Sequence, residues 1–418
     1  MKKISLRATA VAVAALATTS AFATDGYFPH GYGMKALGMG GASVAMTDNA
    51  FAGANNPATA AYAGNRYELG VNLFSPKRSA TTNVSPSSVV MAETQSDSNY
   101  FLVPEFGYNR DIDAKTSFGV TVYGNGGMNT NYPAPIMGGS GATGVDLMQL
   151  IVAPTVAYKL SETQSIGVSP LLVYQKFKAE GLQAFNITPN KGADSSTGIG
   201  VRLGYFGKLN DQVSFGASYS PKVNMSKMSK YAGLFVNAGD FDIPANATIG
   251  VALQAAPSVK IAVDYQKIKY GSVPAIANSS QNILACDNGN GDLTQCLGAS
   301  NGPGFGWSDV NVLKLGVEWA YSSTVTLRAG FNKSTNPVKS AEVSFNILAP
   351  AVITKHYTFG GTYKVAKDSE LTWAYMYAPK NSVSGNSLFA TMHGMAGAWQ
   401  DTVRMSQQSI GLQYGWKF

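Results

Sequence analysis

Val259-Lys260-Ile261-Ala262-Val263-Asp264-Tyr265-Gln266 changes character at every residue. Val259, Ile261, Val263 and Tyr265 share one face, and Lys260, Ala262, Asp264 and Gln266 share the other. A period of two is the side-chain geometry of a β-strand with one apolar and one polar surface. The same reading applies to Leu313, Leu315, Val317, Trp319 and Tyr321, to Val325, Leu327 and Phe331, and to Leu371, Trp373, Tyr375 and Tyr377. Carried along the chain, it predicts strands near 67–75, 100–109, 116–124, 149–159, 164–178, 198–207, 212–223 and 244–255. Six more are expected near 257–269, 309–321, 324–333, 354–366, 369–378 and 407–418. Pro170 falls in the fifth, where the apolar parity shifts from Ile166 and Val168 to Leu171 and Val173, so a bulge is expected there.

Connections between these strands alternate between short polar turns and long loops at 76–99, 125–148, 179–197, 224–243, 270–308, 334–353 and 379–406. An even strand number with short turns at one end and long loops at the other marks an outer-membrane barrel. The in-strand charges Glu68, Glu105, Arg202, Lys222, Lys260, Asp264, Lys314, Glu318, Arg328 and Lys364 all fall opposite the apolar set. That places them in the lumen, because Lys or Arg facing mid-bilayer costs about 2–4 kcal/mol.

Composition agrees. The 418 residues are 45% hydrophobic but only 13% charged, with 45 Gly, 21 Tyr and 19 Phe. A disordered chain is excluded by that apolar content, and no apolar run outside the leader reaches the ~18 residues of a spanning helix. Lys2, Lys3 and Arg7, the apolar run 11–17 and Ala21-Phe22-Ala23 read as a secretory signal over 1–23. Its removal takes the formal charge from +7 to +4, since three basic and no acidic residues leave. A chain so mildly basic points away from nucleic acid. An oxidising destination makes a local Cys286–Cys296 disulfide the expectation. The intervening Asp/Asn/Gly run lacks the spaced carboxylates and closing Glu of a calcium loop, and the sequence carries no cofactor motif.

Residues 24–66 do not alternate. They are rich in Gly and Ala, hold Tyr27, Phe28, Met34, Leu37, Met39 and Phe51, and end in Asn56-Pro57-Ala58. A disordered tail and a compact lumenal plug both fit, since small residues let backbone approach backbone. The last strand, Ile410-Gly-Leu412-Gln-Tyr414-Gly-Trp416-Lys-Phe418, alternates to a terminal Phe. It is similar to the assembly signal of bacterial outer-membrane proteins.

With Asn56-Pro57-Ala58 ahead of fourteen strands and that terminal Phe, the mature chain resembles the FadL family of outer-membrane transport proteins. Ser214–Tyr219, Val263–Ile268 and Arg328–Asn332 also match. The resemblance implies an all-β fold: a monomeric 14-stranded antiparallel transmembrane barrel over 67–418, plugged by a hatch over 24–66. It implies passive uptake of a lipophile from the cell surface, amid outer-membrane lipid and lipopolysaccharide, with sideways release beside a kinked third strand. Long-chain fatty acids are the first expectation and aromatic hydrocarbons the alternative. Gly124-Asn125-Gly126-Gly127 is the candidate kink, and a plain Gly-rich turn is the other reading.

Met225, Met228, Tyr231, Leu234 and Phe235 are spaced like a short amphipathic helix, as are Leu388, Met392, Met395 and Trp399. Flexible Met suits ligands of varied shape. These faces form either a cargo groove or loop packing. The brevity of loop 179–197 reduces any groove that needs it. Lys35, Arg202, Lys314 and Arg328 are candidate partners for a cargo carboxylate, or else lumen residues paired with Glu105, Asp264 or Glu318 to hold the hatch. Competing functions fit less well. An enzyme would draw on His30, His356 or His393 with no Gly-x-Ser-x-Gly elbow, a general porin would lack the plug, and an adhesin would explain only the long loops.

Overall fold

The computed structural model describes residues 25–82, 93–185, 190–286 and 291–418, so the expected leader over 1–23 lies outside the described residues. Strands β1 (Arg66–Thr81), β2 (Phe101–Asp111), β3 (Thr116–Tyr132), β4 (Thr143–Lys159), β5 (Gln164–Glu180), β6 (Asp194–Lys208) and β7 (Val213–Ser220) form the first half. The second half is β8 (Asn246–Ala256), β9 (Val259–Ile268), β10 (Val310–Ala320), β11 (Val325–Ser334), β12 (Lys355–Ala366), β13 (Ser369–Asn386) and β14 (Gln400–Lys417). Each pairs antiparallel with its neighbour in the chain, and β14 closes the cylinder on β1, from Arg66 opposite Lys417 to Thr81 opposite Thr402. A two-residue strand, Thr94–Gln95, adds to the upper end of β1. Closure leaves the barrel with no sheet edge, the condition for crossing lipid with strands.

Alternation sorts the side chains as expected. Tyr67, Leu69, Val71 and Leu73 of β1 and Leu313, Leu315, Val317 and Trp319 of β10 are exposed on the outer wall. Glu68, Glu105, Arg202, Asp264, Lys314 and Arg328 are buried inside it. Lys260 and Glu318 form a half-buried pair at 3.8 Å, and Lys364 lies exposed at the rim, donating to the Ser323 carbonyl at 3.0 Å. Lys222 departs from the expectation. β7 stops at Ser220, and Lys222 sits beyond it on Asp242 at 2.8 Å.

Two further differences have physical causes. Several strands continue past the alternating pattern: β1 runs to Thr81, β3 to Tyr132, β13 to Asn386, and β14 starts at Gln400. Along those extensions exposed outward positions such as Lys77, Lys380, Ser382 and Ser384 are polar, so the apolar set that lipid demands is lost there. The expected bulge at Pro170 is absent. β5 keeps one register against β6 on both sides of Pro170, and Ile166, Val168, Pro170, Leu172 and Tyr174 all face outward. Leu171 and Val173 point inward because the upper lumen is itself apolar, so a parity shift was inferred where only the lumen's character changes. The β4–β5 ladder is interrupted between Val152–Leu172 and Val156–Val168. Pro154 and Pro170, which fall in that stretch, supply no N–H to it.

Candidate functional site

Residues 25–65 fold into the bore and are held by its wall. Glu105 accepts the Gly33 amide at 3.0 Å, Gln413 accepts Met34 at 2.9 Å, and Glu68 accepts Ala50 at 3.0 Å. One oxygen of Asp264 accepts both Ser43 and Val44, at 2.7 and 2.9 Å. The bonds to the carboxylates, unlike that to the neutral amide of Gln413, are charge-assisted and worth roughly 1.5–3 kcal/mol each where water is excluded. Asn56 is a hub: it caps the turn Pro57–Thr59 by accepting Ala58 N–H at 3.1 Å, and it donates to the Val44 and Tyr205 carbonyls at 2.7 and 2.9 Å. Gly204 of β6 makes room for it, since a Cβ there would lie 2.1 Å from Asn56 Oδ1.

Three of the four cations singled out in the sequence, Lys35, Arg202 and Lys314, serve this interface, and Arg328 is paired within the wall. Lys35 meets Glu370 at 2.7 Å and Asp48 at 3.4 Å. Burial works to lower the Lys35 pKa, but the carboxylates of Asp48, Glu68 and Glu370 outweigh it and raise the value. Arg202 donates to the Gly53 carbonyl at 3.1 Å, to the Ala54 carbonyl, and to Tyr123 OH at 3.3 Å. Lys314 donates to the His30 carbonyl at 2.8 Å. Arg328 binds Glu318 at 2.7 Å.

Above this lies an aromatic floor. Tyr270 OH accepts the amides of Tyr27 and Phe28 at 3.0 and 3.2 Å and donates to the Asp25 carbonyl at 2.8 Å. Its ring stands 5.2 Å from Tyr27 and 5.1 Å from Trp307. Neither Tyr270 nor Trp307 was singled out in the sequence. The one signal was a Gly-flanked aromatic pair, Phe305-Gly306-Trp307, in a long loop without periodicity.

Over the floor, a cavity is lined by Phe177, Leu182, Phe185, Leu234, Phe235, Phe345, Leu348 and their neighbours. Every lining residue is apolar, glycine or proline. Leu234 and Phe235 thus reach it, while Met225, Met228 and Tyr231 are buried in the surrounding apolar cluster. Segment 224–243 is not the expected helix; it holds only the turn Ser229–Tyr231 and the short piece Val236–Gly239, in which Asn237 and Ala238 have positive φ. Its backbone is claimed by side chains, Met225 N–H by Asp242 near the segment's far end at 2.9 Å and Lys230 N–H by Asp194 of β6 at 2.8 Å. The second expected helix is Leu388–Met392 alone. Leu388 is buried, Met392 packs on the same cluster, and Met395 and Trp399 lie past its end, half-buried. Loop 179–197, expected to weaken the groove, instead sends Leu182 and Phe185 into the cavity. Cys286 and Cys296 are bonded to each other, inside the long loop that also carries Trp307.

The wall itself is incomplete where Phe101 and Val103, members of the same apolar cluster as the cavity lining, lack a partner strand on one side. β2 pairs with β3 only from Asp111–Ser117 to Phe106–Val122. β3 then turns away with β4, to which it stays paired as far as Tyr132–Thr143. The register of that ladder slips between Gly124 and Gly126, with Asn125 as the extra residue. Gly126 has φ 149°, and a Cβ on it would meet the Tyr27 carbonyl at 2.0 Å. Asn125 faces inward, accepting Tyr32 OH at 3.2 Å and donating to Gln149 at 3.0 Å.

A family model for outer-membrane transport proteins of the OMPP1/FadL/TodX type matches residues 10–418. The chain belongs to this family. Its fold is that of solved members. The toluene transporter TodX of Pseudomonas putida is 20% identical, with 94% of this chain and 100% of that one covered and a TM-score of 0.67. A FadL homologue from Pseudomonas aeruginosa is 14% identical over 94% and 100%, with a TM-score of 0.68. The Ralstonia pickettii toluene transporter TbuX is 19% identical over 93% and 99%, at 0.62. No curated protein sequence matches the chain. Members of the family are outer-membrane transport proteins for hydrophobic compounds, and the oily outer wall and plugged bore described above suit that setting.

Proposed function

We propose that the protein admits lipophilic small molecules from the cell surface, passively, and releases them sideways into the outer membrane. The observation that carries this reading is the apolar cavity above the hatch, whose lining belongs to one continuous apolar cluster with Phe101 and Val103 of the unpaired stretch of β2. Burying alkyl or ring carbon there is favourable by about 0.8 kcal/mol per CH₂. Straight down, the same molecule meets the aromatic floor and then side chains and carbonyls engaged with one another. The β2–β3 gap opens instead onto hydrocarbon, which favours lateral exit at Gly124–Gly127. Long-chain fatty acids are the proposed cargo and aromatic hydrocarbons, named for TodX and TbuX, the alternative.

On this reading the chain is exported by its leader, assembled through the strand ending at Phe418, monomeric, and not an enzyme. Uptake of labelled oleate and of toluene by a deletion strain, with and without the gene restored, tests it. Restored uptake of either supports the carrier. Unchanged uptake of both with loss of surface attachment would favour an adhesin, and steady large currents in planar bilayers a general porin.

A further inference from the structure

Arg78 stands apart from the other buried cations of the lumen. It lies on the inward face of β1, 3% exposed. Its guanidinium donates to the Pro76 carbonyl at 3.0 Å, Ser96 Oγ at 2.9 Å and the Ser98 carbonyl, and lies 5.7 Å from the Phe101 ring. All four partners are neutral, and Nε has no acceptor. Among the described residues no carboxylate comes within 4.0 Å of it, whereas Arg66 and Arg328 each have one and Lys35 has two. Arg202 and Lys314 have none either, but they are turned onto hatch carbonyls. A buried guanidinium without a counter-ion is costly to keep unless something supplies the missing charge.

Its position says what could. Phe101 faces Phe74 across the β1–β2 ladder, in the part of β2 that has lost β3. Phe74, Phe101 and Tyr132 belong to the same continuous apolar cluster as the cavity residues Val145, Phe345 and Leu348. For an amphipathic molecule with its hydrocarbon in that cluster, Arg78 is an inward-facing buried cation above the hatch that has, among the described residues, no carboxylate within 4.0 Å.

Resting on the carrier reading, we propose that Arg78 receives the carboxylate of an amphipathic organic acid and so favours acids over uncharged hydrocarbons as cargo. The competing role is structural, with Arg78 merely pinning segment 94–98 to β1.

Binding of oleate and of its uncharged counterpart oleyl alcohol to the purified full-length protein tests this in wild type, Arg78→Lys and Arg78→Gln. The expected result is a preference for oleate in wild type that falls by roughly tenfold or more in Arg78→Gln, with Arg78→Lys in between. Because the readout is a ratio of two ligands on one protein, a general loosening of the barrel lowers both affinities and leaves the ratio alone. Equal affinity for the two ligands in wild type, or a ratio unmoved in Arg78→Gln, overturns the proposal while leaving the carrier standing. A wild type that binds neither these ligands nor toluene overturns the carrier reading itself.

Discussion

The lower and upper halves of the bore are built on opposite principles. Below the aromatic floor, Glu68, Glu105, Asp264, Arg202 and Lys314 bind hatch backbone atoms, and Lys35 is pinned by Glu370 and Asp48. Above it, cavity and surroundings are Phe, Leu, Val and Met, held by non-directional burial. Directional bonds specify one position for a plug, while apolar packing accepts molecules of differing shape. The contrast teaches that charge in this lumen, Arg78 aside, serves the plug or, as in Arg328 and Glu318, the wall itself.

The largest expected effect breaks the lower half. Gly204→Val forces a side chain into Asn56, and overpacking plus lost hub bonds should destabilise hatch seating by about 3 kcal/mol or more. Single-channel recording checks it: openings absent in wild type should appear, and a silent variant would contradict the hub role. Next, Leu234→Asp sets a carboxylate into the cavity with no cation lining it. Toluene affinity should fall about a hundredfold, with the denaturation midpoint little changed, from the cost of burying or hydrating that charge. Equilibrium binding reads the difference.

A smaller effect sharpens the comparison through pH. His30 of the hatch stacks on His356 of β12 with ring centroids 5.6 Å apart, and Lys314 lies at the His30 carbonyl. On the other side, Asn332 bonds His356 at 3.2 Å and Asp25 at 3.2 Å. Burial, then the His356 and Lys314 charges, hold the His30 pKa well below the ordinary histidine value. The folded state therefore refuses a proton that the unfolded chain accepts near pH 6.5. Stability from this site is complete above about pH 6.5 and declines as pH falls below it. Denaturant midpoints at pH 8 and pH 5 should differ by roughly 1–2 kcal/mol, and His30→Phe should narrow the gap. The smallest effect is expected at the rim: Lys364→Ala touches neither half and should stay within about 0.5 kcal/mol in the same titration.

Legibility in the sequence followed the range of the physics. All fourteen strands were readable, because lipid on one side and lumen on the other write a period of two into each segment. The pattern faded where strands rise clear of the membrane, at Arg78–Thr81 and Asn381–Asn386, and misled at Leu171 and Val173, where the lumen turns apolar. Leu234 and Phe235 were found for the cavity, although the helix inferred from their spacing is not there. Tyr270, Trp307, Leu182, Phe185 and Arg78 were missed, since nothing near them in the chain distinguishes them.

The sequence by itself determined a closed, lipid-facing cylinder with a small-residue leader segment, because side-chain alternation and turn chemistry act over a few residues. Only the tertiary structure decided which cations hold the hatch, where the cavity lies and which strand pair stands open. Those outcomes hang on partners as distant as Tyr27 and Tyr270, 243 residues apart, whose meeting is set by closure of the whole barrel around its plug.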